Sequence, residues 1–163
     1  MTMNEKEERF TRIVREQKGT VYTVCYMFST RQDEVDDLFQ DTLMNLWRGF
    51  DGFRGESDVR TWVWRVALNT CISADRKKKR RPKTETIDFG VNLYEEPNDS
   101  DTRQVRLLHK RISRLGVFDR AIVLLWLEDL SYDEIATIVG ITPSNVGVRL
   151  SRIKEEMRRM KDE

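Results

Sequence analysis

Histidine, cysteine and proline are scarce in this sequence. Its 163 residues include one histidine, two cysteines and three prolines. Cys25 and Cys71 stand far apart and match no metal-ligand spacing. Both fall within helical patterns, so we expect buried free thiols. This sparse cysteine usage is typical of a reducing compartment and indicates a cytoplasmic protein.

Long hydrophobic runs are absent as well. No apolar stretch approaches the ~18 residues that a membrane-spanning helix requires. The N-terminal sequence MTMNEKEERF is charged and lacks the apolar segment of a signal peptide. We therefore expect the chain to make no membrane contact of its own.

The signatures of an enzyme are also missing. The sequence has no Walker motif, no metal-ligand cluster and no nucleophile–base arrangement, so no catalytic residue, metal or cofactor is predicted. Its net charge is only +1, which by itself indicates no nucleic-acid partner. Charge is instead segregated into local clusters, and these carry the functional interpretation.

Strand patterns are scarce, and helical periodicity dominates. Apolar stripes predict helices over 5–29, 33–49 and 59–80. The second helix has Asp33 as a candidate N-cap, and the third has Ser57 or Asp58. Gly19 interrupts the first stripe and weakens the case for one continuous helix.

The helical pattern stops at Pro82 and returns at Arg103. The 82–102 stretch contains two prolines and six carboxylates, which is typical of a flexible acidic linker. Further helices are predicted over 103–115 and 119–128. The sequence therefore predicts an all-α protein with two small helical domains, 5–81 and 103–161, joined by the linker.

The segment from Ser131 to Arg159 predicts a helix-turn-helix. Ser131 and Glu134 form a capping box, and Gly140 supplies the left-handed residue that ends the first helix. Thr142 then caps a second helix. In this geometry the start of the second helix enters the DNA major groove. The alternative is an αα-hairpin with a solvated outer face, but the small and cationic side chains on that face favour DNA.

The third predicted helix ends in the sequence ADRKKKRR, which has six successive cations from Arg76 to Arg81. This run indicates a phosphate-binding patch, although a solvated run that complements the helix dipole also explains it. Upstream, Trp64 lies about 140° around the helix from Val59, off the apolar stripe. Such an aromatic, flanked by Arg60 and Arg65, suits stacking on unpaired bases. It also suits packing under another helix.

The 33–49 helix has an acidic and polar outer face. Its members are Asp36, Asp37, Gln40, Asp41 and Asn45. An acidic surface repels DNA, so this face indicates a protein partner or serves solubility alone.

Taken together, these residues resemble a known family. The similar segments are DEVDDLFQDTLMNLWRGFDGFRGESDVRTWVWRVALNTCISADRKKKRR and DRAIVLLWLEDLSYDEIATIVGITPSNVGVRLSRIKEEMRR. The first is similar to region two, and the second to region four, of the bacterial extracytoplasmic-function (ECF) sigma factors, small two-domain members of the primary sigma factor family. The resemblance implies a subunit that binds core RNA polymerase and directs promoter-specific initiation.

The resemblance also implies roles for individual residues. The 33–49 helix would dock on the clamp helices of core RNA polymerase, through Asp36, Asp37, Gln40, Asp41, Asn45 and Trp47. The third helix and the loop before it would open the −10 promoter element and hold a flipped base, through Phe53, Arg54, Arg60, Trp64, Arg65, Asn69, Arg76, Lys77, Lys78, Lys79, Arg80 and Arg81. Trp62 is expected to stay in the core.

Region four would read the −35 element as duplex DNA. The matching positions are Tyr132, Asp133, Thr142, Ser144, Asn145, Gly147, Val148, Arg149, Ser151 and Arg152. Gly147 departs from the family pattern, in which a long cationic or polar residue is common. DNA-shape readout or a close backbone approach would then replace direct readout at this position.

Promoter elements about 24 base pairs apart lie roughly 80 Å apart at ~3.4 Å per pair. The linker reaches at most ~70 Å, so it must be stretched when both modules engage. The implied partners are core RNA polymerase, promoter DNA as duplex and melted single strand, and an anti-sigma factor, which family members often have. The alternatives are an autonomous helix-turn-helix regulator and a helical protein-interaction adaptor.

Overall fold

The computed structural model describes residues 2–29, 31–53, 55, 58–80 and 103–160, apart from the side chain of Val105. These residues form seven α-helices, and no strand occurs among them. The helices are α1 (Met3–Met27), α2 (Gln32–Gly49), α3 (Val59–Arg80), α4 (Arg103–Ser113), α5 (Val117–Leu127), α6 (Tyr132–Val139) and α7 (Pro143–Arg159). The predicted all-α class is confirmed, while the predicted linker lies outside the described residues.

Helix α1 runs without a break through Gly19. The Thr2 hydroxyl caps it by accepting a hydrogen bond from the Glu5 N–H at 3.2 Å. Gly19 is exposed and has no neighbour within 4 Å of an ideal Cβ. The glycine therefore costs this helix only about 1 kcal/mol of propensity and does not interrupt it.

The start of α2 differs from the prediction. Arg31, not Asp33, is the N-cap residue, and its side chain makes no capping bond. Ser29 organises this entry instead: its hydroxyl donates to the Glu34 carboxylate and accepts from the Arg31 N–H at 3.2 Å. At α3 the predicted cap is present, because the Asp58 carboxylate accepts from the Arg60 N–H at 3.3 Å. Ser57 lies outside the described residues.

Helices α1, α2 and α3 pack on one another to form the N-terminal module. Val24, Leu46 and Val63 are buried at its centre, where each contributes roughly 1.5–3 kcal/mol of hydrophobic stabilisation. Cys25 and Cys71 are buried free thiols, as predicted. A hydrogen bond from Cys71 lowers the pKa of Cys25 despite burial, and the same bond, with burial, raises the pKa of Cys71.

Helices α4 to α7 form the C-terminal module around α5, whose central residues 121–125 are all buried. Asp129, two residues after the end of α5, is in the left-handed region at φ 62°, and the Leu130 N–H turns back to the Leu125 carbonyl. The two modules are in contact, since α3 packs on α5 and α6 while α1 packs on α4. Their buried residues form one continuous apolar core. Among the described helices, none is both long and apolar enough to cross a membrane.

Candidate nucleic-acid and protein interfaces

The helix-turn-helix has the predicted capping geometry. The Ser131 hydroxyl accepts from the Glu134 N–H at 3.1 Å, and the Glu134 carboxylate accepts from the Ser131 N–H at 3.0 Å. These hydrogen bonds lower the pKa of Glu134. Gly140 ends α6 at φ 80°, and two successive N–H groups, of Gly140 and Ile141, donate to the Ala136 carbonyl. Residues within one helical turn therefore determine where α6 ends and α7 begins.

Helix α7 separates an apolar side from an exposed side. The Thr142 hydroxyl accepts from the Asn145 N–H at 3.2 Å, and Pro143 occupies the first turn. Val146, Leu150 and Ile153 are buried. The predicted −35 residues are exposed, apart from the partly covered Gly147: Tyr132, Asp133, Thr142, Ser144, Asn145, Val148, Arg149, Ser151 and Arg152. The geometry therefore presents one continuous face, as a recognition helix requires.

The two arginines of this face have different surroundings. Arg149 leans toward the start of α5, where its guanidinium pairs with Asp119 at 3.3 Å and lies over the Phe118 ring at 4.7 Å. Arg152 makes no ion pair within the described part of the chain. Arg152 is therefore the cation of this face that is available to DNA, while Arg149 is partly engaged in holding α7 on α5.

Gly147 lies close to the ring of Tyr132, a contact that the sequence did not reveal. An ideal Cβ at this position would lie 3.3 Å from Tyr132 Cε2. The Tyr132 ring of α6 therefore lies close to the backbone of α7, and a side chain at position 147 would require the ring to shift by a few tenths of an ångström. This contact joins two of the predicted −35 residues.

The predicted polymerase-binding residues lie on one side of α2. Asp36, Asp37, Gln40 and Asp41 are exposed. Asn45 is half-buried because its amide donates to the Thr70 hydroxyl at 2.9 Å. Trp47 is partly covered by α1, with the Phe10 ring at 5.0 Å and the Lys6 ammonium 4.2 Å from its ring. The α2 face is thus acidic, with an aromatic residue at one edge.

Sequence reasoning missed Met44 on this face. Its side chain is 49% exposed, and it lies about 180° around α2 from the buried Val35 at 100° per residue. An apolar residue opposite the buried stripe is the signal that could have found it. An exposed methionine among carboxylates is typical of a protein-binding surface.

The cationic end of α3 is exposed from Arg76 to Arg80. Lys78 reaches Glu34 on α2 at 3.1 Å, and Lys79 pairs with Asp75 at 3.2 Å. Burial raises the pKa of Glu34, but hydrogen bonds from Ser29 and Lys78 outweigh it and leave the pKa lowered. No ion pair involves the other three cations in the described segments, namely Arg76, Lys77 and Arg80. Arg81 lies outside the described residues.

The two tryptophans of α3 lie in different surroundings. Trp62, expected in the core, is half-buried and stacks on Phe53, with ring centroids 4.7 Å apart. Trp64 is only 1% exposed, and its indole N–H has no partner among the described atoms. Asn69 is exposed, and Arg54 lies outside the described residues. In this conformation the Phe53–Trp62 pair is therefore more accessible than Trp64.

The neighbours of Trp64 on α3 connect the two modules. Arg60 and Arg65 flank it on α3, and both guanidinium groups donate to that module. Arg60 donates to the Glu128 carbonyl at 3.2 Å, and Arg65 donates to the Thr137 carbonyl at 3.1 Å. These carbonyls belong to the C-terminal turns of α5 and α6, where orphan acceptors and the helix dipole favour a cation.

A second contact joins the modules between α1 and α4. The His109 ring stacks on Tyr26, with centroids 4.4 Å apart, and His109 Nε2 lies 3.0 Å from the Tyr26 carbonyl. Next to it, the Arg120 guanidinium lies over the Phe28 ring at 5.2 Å. Burial lowers the pKa of His109, so the neutral ring is favoured in this contact. No group of metal-ligating side chains occurs within the described ranges.

Comparison with known proteins gives two matching family models. Sigma-70 region 2 matches residues 13–81, and Sigma-70, region 4 matches residues 106–157. The ECF RNA polymerase sigma-E factor of Haemophilus influenzae is 30% identical over 167 residues, covering 91% of this chain and 85% of that protein. The RNA polymerase sigma factor YlaC of Bacillus subtilis is 32% identical over 133 residues, covering 78% and 77%.

Solved structures show the same fold. The sigma factor RpoE from Bartonella quintana, in complex with the anti-sigma factor NepR, has a TM-score of 0.75 at 22% identity, covering 93% of this chain and 95% of that one. CnrH, in complex with the cytosolic domain of CnrY, has a TM-score of 0.67 at 21% identity, covering 93% and 86%. The predicted family is thus confirmed by sequence and fold: the chain belongs to the extracytoplasmic-function sigma factors of the sigma-70 family, non-catalytic subunits that direct RNA polymerase to promoters.

Proposed function

We propose that the two modules divide promoter recognition between them. The N-terminal module, residues 5–81, binds core RNA polymerase and opens the −10 element. The C-terminal module, residues 103–161, reads the −35 element as duplex DNA. The observation that supports this division best is the capped helix-turn-helix, whose second helix buries one side and exposes Ser144, Val148 and Arg152 on the other.

The α2 face is the proposed polymerase site. Its exposed carboxylates, Asp36, Asp37 and Asp41, disfavour DNA and favour a basic protein surface. Met44 supplies the apolar centre that a stable protein contact needs. Asn45 and Trp47 border this centre and are held in place by Thr70 and Phe10.

The exposed end of α3 is the proposed contact with the −10 phosphates. Arg76, Lys77 and Arg80 have no ion-pair partner in the described segments, so each can displace counterions from DNA. Phe53 and Trp62 form a stacked pair at the loop that precedes α3. In this position they can stack on a base that leaves the helix.

This role requires the modules to separate. Arg60 and Arg65 are bonded to α5 and α6, and Trp64, which lies between them in the chain, is buried. At ~3.4 Å per base pair, the two promoter elements lie roughly 80 Å apart. Two modules whose side chains touch cannot engage both elements at once. The described arrangement is therefore a closed state, and engagement of both elements frees Arg60 and Arg65 for melted DNA.

An anti-sigma factor is a proposed further partner. The support is the solved complex of the structurally similar RpoE with the anti-sigma factor NepR. Such a partner would act by stabilising an arrangement in which the α3 surface remains covered. In this role the chain works in the cytoplasm, together with the polymerase.

Reconstitution with core RNA polymerase tests the proposal. Duplex fragments that the reconstituted enzyme transcribes would be selected from a library. Permanganate reactivity of thymines would then map strand opening on the selected promoter. We expect transcription to depend on the chain, and Asp37→Lys to abolish polymerase binding while leaving the helical fold intact. An autonomous regulator would instead occupy duplex DNA without polymerase, and an adaptor would bind no DNA. Either result, with no affinity for polymerase, would overturn the proposal.

A further inference from the structure

The recognition face has an apolar centre. Val148 is 49% exposed and lies about 200° around α7 from the buried Val146, at 100° per residue. Leu150 and Ile153 are buried on the same side as Val146. Val148 therefore points directly away from the core of the module, at the middle of the surface that faces DNA in a helix-turn-helix.

Tyr132 extends this apolar centre across the turn. Its ring is 43% exposed and lies against α7 at Gly147, where an ideal Cβ would be 3.3 Å from Cε2. Gly147 adjoins Val148 in the chain. Two apolar side chains, Tyr132 of α6 and Val148 of α7, are thus exposed close to Gly147, which has no side chain.

The surroundings of this apolar centre match a duplex and not a hydrophobic partner. Ser144 and Ser151 are exposed on α7, and so is Arg152, which has no ion-pair partner in the described segments. Hydroxyl and guanidinium donors suit phosphates and base edges. Arg149 is drawn toward Asp119 and Phe118, which leaves Val148 as the side chain at the centre of the face.

Only one base presents an apolar group in the major groove, namely thymine, through its 5-methyl group. An exposed valine at the centre of a reading face gains by contact with that methyl and gains nothing from a cytosine edge. We propose that Val148, with the Tyr132 ring beside Gly147, reads the 5-methyl group of a thymine in the −35 element. This inference rests on the proposed role of the C-terminal module.

The test removes the methyl group and nothing else. Holoenzyme reconstituted from full-length chain and core polymerase is used to select a −35 sequence from a duplex library randomised across that element. Each selected thymine is then replaced singly by deoxyuridine, which pairs identically. One such replacement is expected to weaken holoenzyme binding about fourfold, the amount that one buried methyl contributes.

Variants then assign the effect to a residue. In Val148→Ala, the penalty for that one deoxyuridine is expected to disappear, while penalties at other positions stay unchanged. Leu127→Ala is the matched control, because Leu127 is a similarly exposed apolar residue, 40%, at the end of α5. Val148→Thr keeps the shape of the side chain and replaces one methyl by a hydroxyl, so an intermediate penalty is expected.

Three results would overturn the inference: a selected element without thymine, equal binding of thymine and deoxyuridine at every position, or a full penalty retained in Val148→Ala. Each leaves the proposed function standing, because the selecting holoenzyme must already recognise a promoter. Failure of the proposed function shows earlier and differently, as a holoenzyme that selects no sequence at all.

Discussion

The guanidinium of Arg65 on α3 donates a hydrogen bond to the Thr137 carbonyl on α6, at 3.1 Å. A side chain with a proposed role at the −10 element is thus bonded to the module with a proposed role at the −35 element. In the closed state, DNA would have to compete with the neighbouring helix for this arginine. Promoter engagement and module separation are therefore coupled.

Replacing Arg65 by alanine is expected to favour the open state. Loss of one such hydrogen bond weakens docking by about 1 kcal/mol, or roughly fivefold in the closed–open equilibrium. Dyes on the introduced cysteines of Lys18→Cys and Glu156→Cys would report the separation by energy transfer, since both native thiols are buried. Arg76→Ala is the control, because that side chain has the same charge and no described ion pair. Equal energy transfer in both variants would contradict the prediction.

Acidification is expected to open the modules through His109, the only histidine. Burial, aided by the charge of Arg120, lowers its pKa from the ordinary 6.5 despite the bond to the Tyr26 carbonyl. Below pH 6.5 the released ring takes up a proton more readily than the docked ring does. Docking is therefore strongest above that pH and weakens as the pH falls. The same dye pair checks this between about pH 7.5 and 5.5.

His109→Gln is the control for this pH dependence, since an amide can keep the hydrogen bond to Tyr26 without titrating. We expect energy transfer in this variant to be constant over the same range. A pH response of equal size in the variant and the parent chain would show that other groups are responsible.

Trp64 and Trp62 are expected to differ in their contribution to stability. Trp64→Ala removes a side chain that is 1% exposed, and should lower the free energy of unfolding by about 3–5 kcal/mol. Trp62→Ala removes a half-buried ring stacked mainly on Phe53, and should cost below about 2 kcal/mol. Urea denaturation of the two variants compares them directly, and equal costs would argue against the full burial of Trp64.

Met44→Ala is expected to weaken the complex with core polymerase about tenfold. The reason is the loss of an apolar side chain at the centre of the α2 face: full burial contributes roughly 1.5–3 kcal/mol, and about half of that applies to a side chain that is 49% exposed before binding. Binding would be measured by titrating labelled chain with core enzyme. Leu127→Ala, which removes an apolar side chain of comparable exposure from the other module, should bind as the parent does. An unchanged affinity for Met44→Ala would place the interface elsewhere.

Gly147→Ala is expected to separate stability from recognition. Alanine favours the helix by about 1 kcal/mol over glycine, and the half-exposed Tyr132 ring has room to move away from the added Cβ. The melting temperature should therefore rise by several degrees, while affinity for the −35 duplex falls several-fold. In a Tyr132→Ala background, the same change should no longer affect DNA binding. A persistent loss there would mean that Tyr132 is not the cause.

Features determined by neighbouring residues were predictable from the sequence. The Ser131–Glu134 capping box, the left-handed Gly140 and the Thr142 cap each depend on residues within one helical turn. The start of α2 was predicted wrongly at Asp33, because the Ser29 hydroxyl fixes the entry through Glu34 and the Arg31 N–H. No propensity at a single position reveals such a bridge.

Contacts between the modules were not predictable from periodicity. Trp64 lies off the stripe that periodicity assigns to α3, yet it is 1% exposed, and its neighbours Arg60 and Arg65 bond to helices that follow far along the chain. The sequence allowed Trp64 either to stack on unpaired bases or to pack under another helix, but it did not identify that helix. The contact of Tyr132 with Gly147 is similar, since it depends on the angle between α6 and α7 and not on either sequence alone.

The arginine contacts at the ends of α5 and α6 have a consequence for fragment studies. Arg60 and Arg65 supply donors to carbonyls in the final turns of two helices in the other module. A C-terminal fragment expressed alone would lack both donors, and its α5 and α6 termini would fray. Melting or DNA-binding measurements on such a fragment would then understate what the same residues achieve within the intact polypeptide.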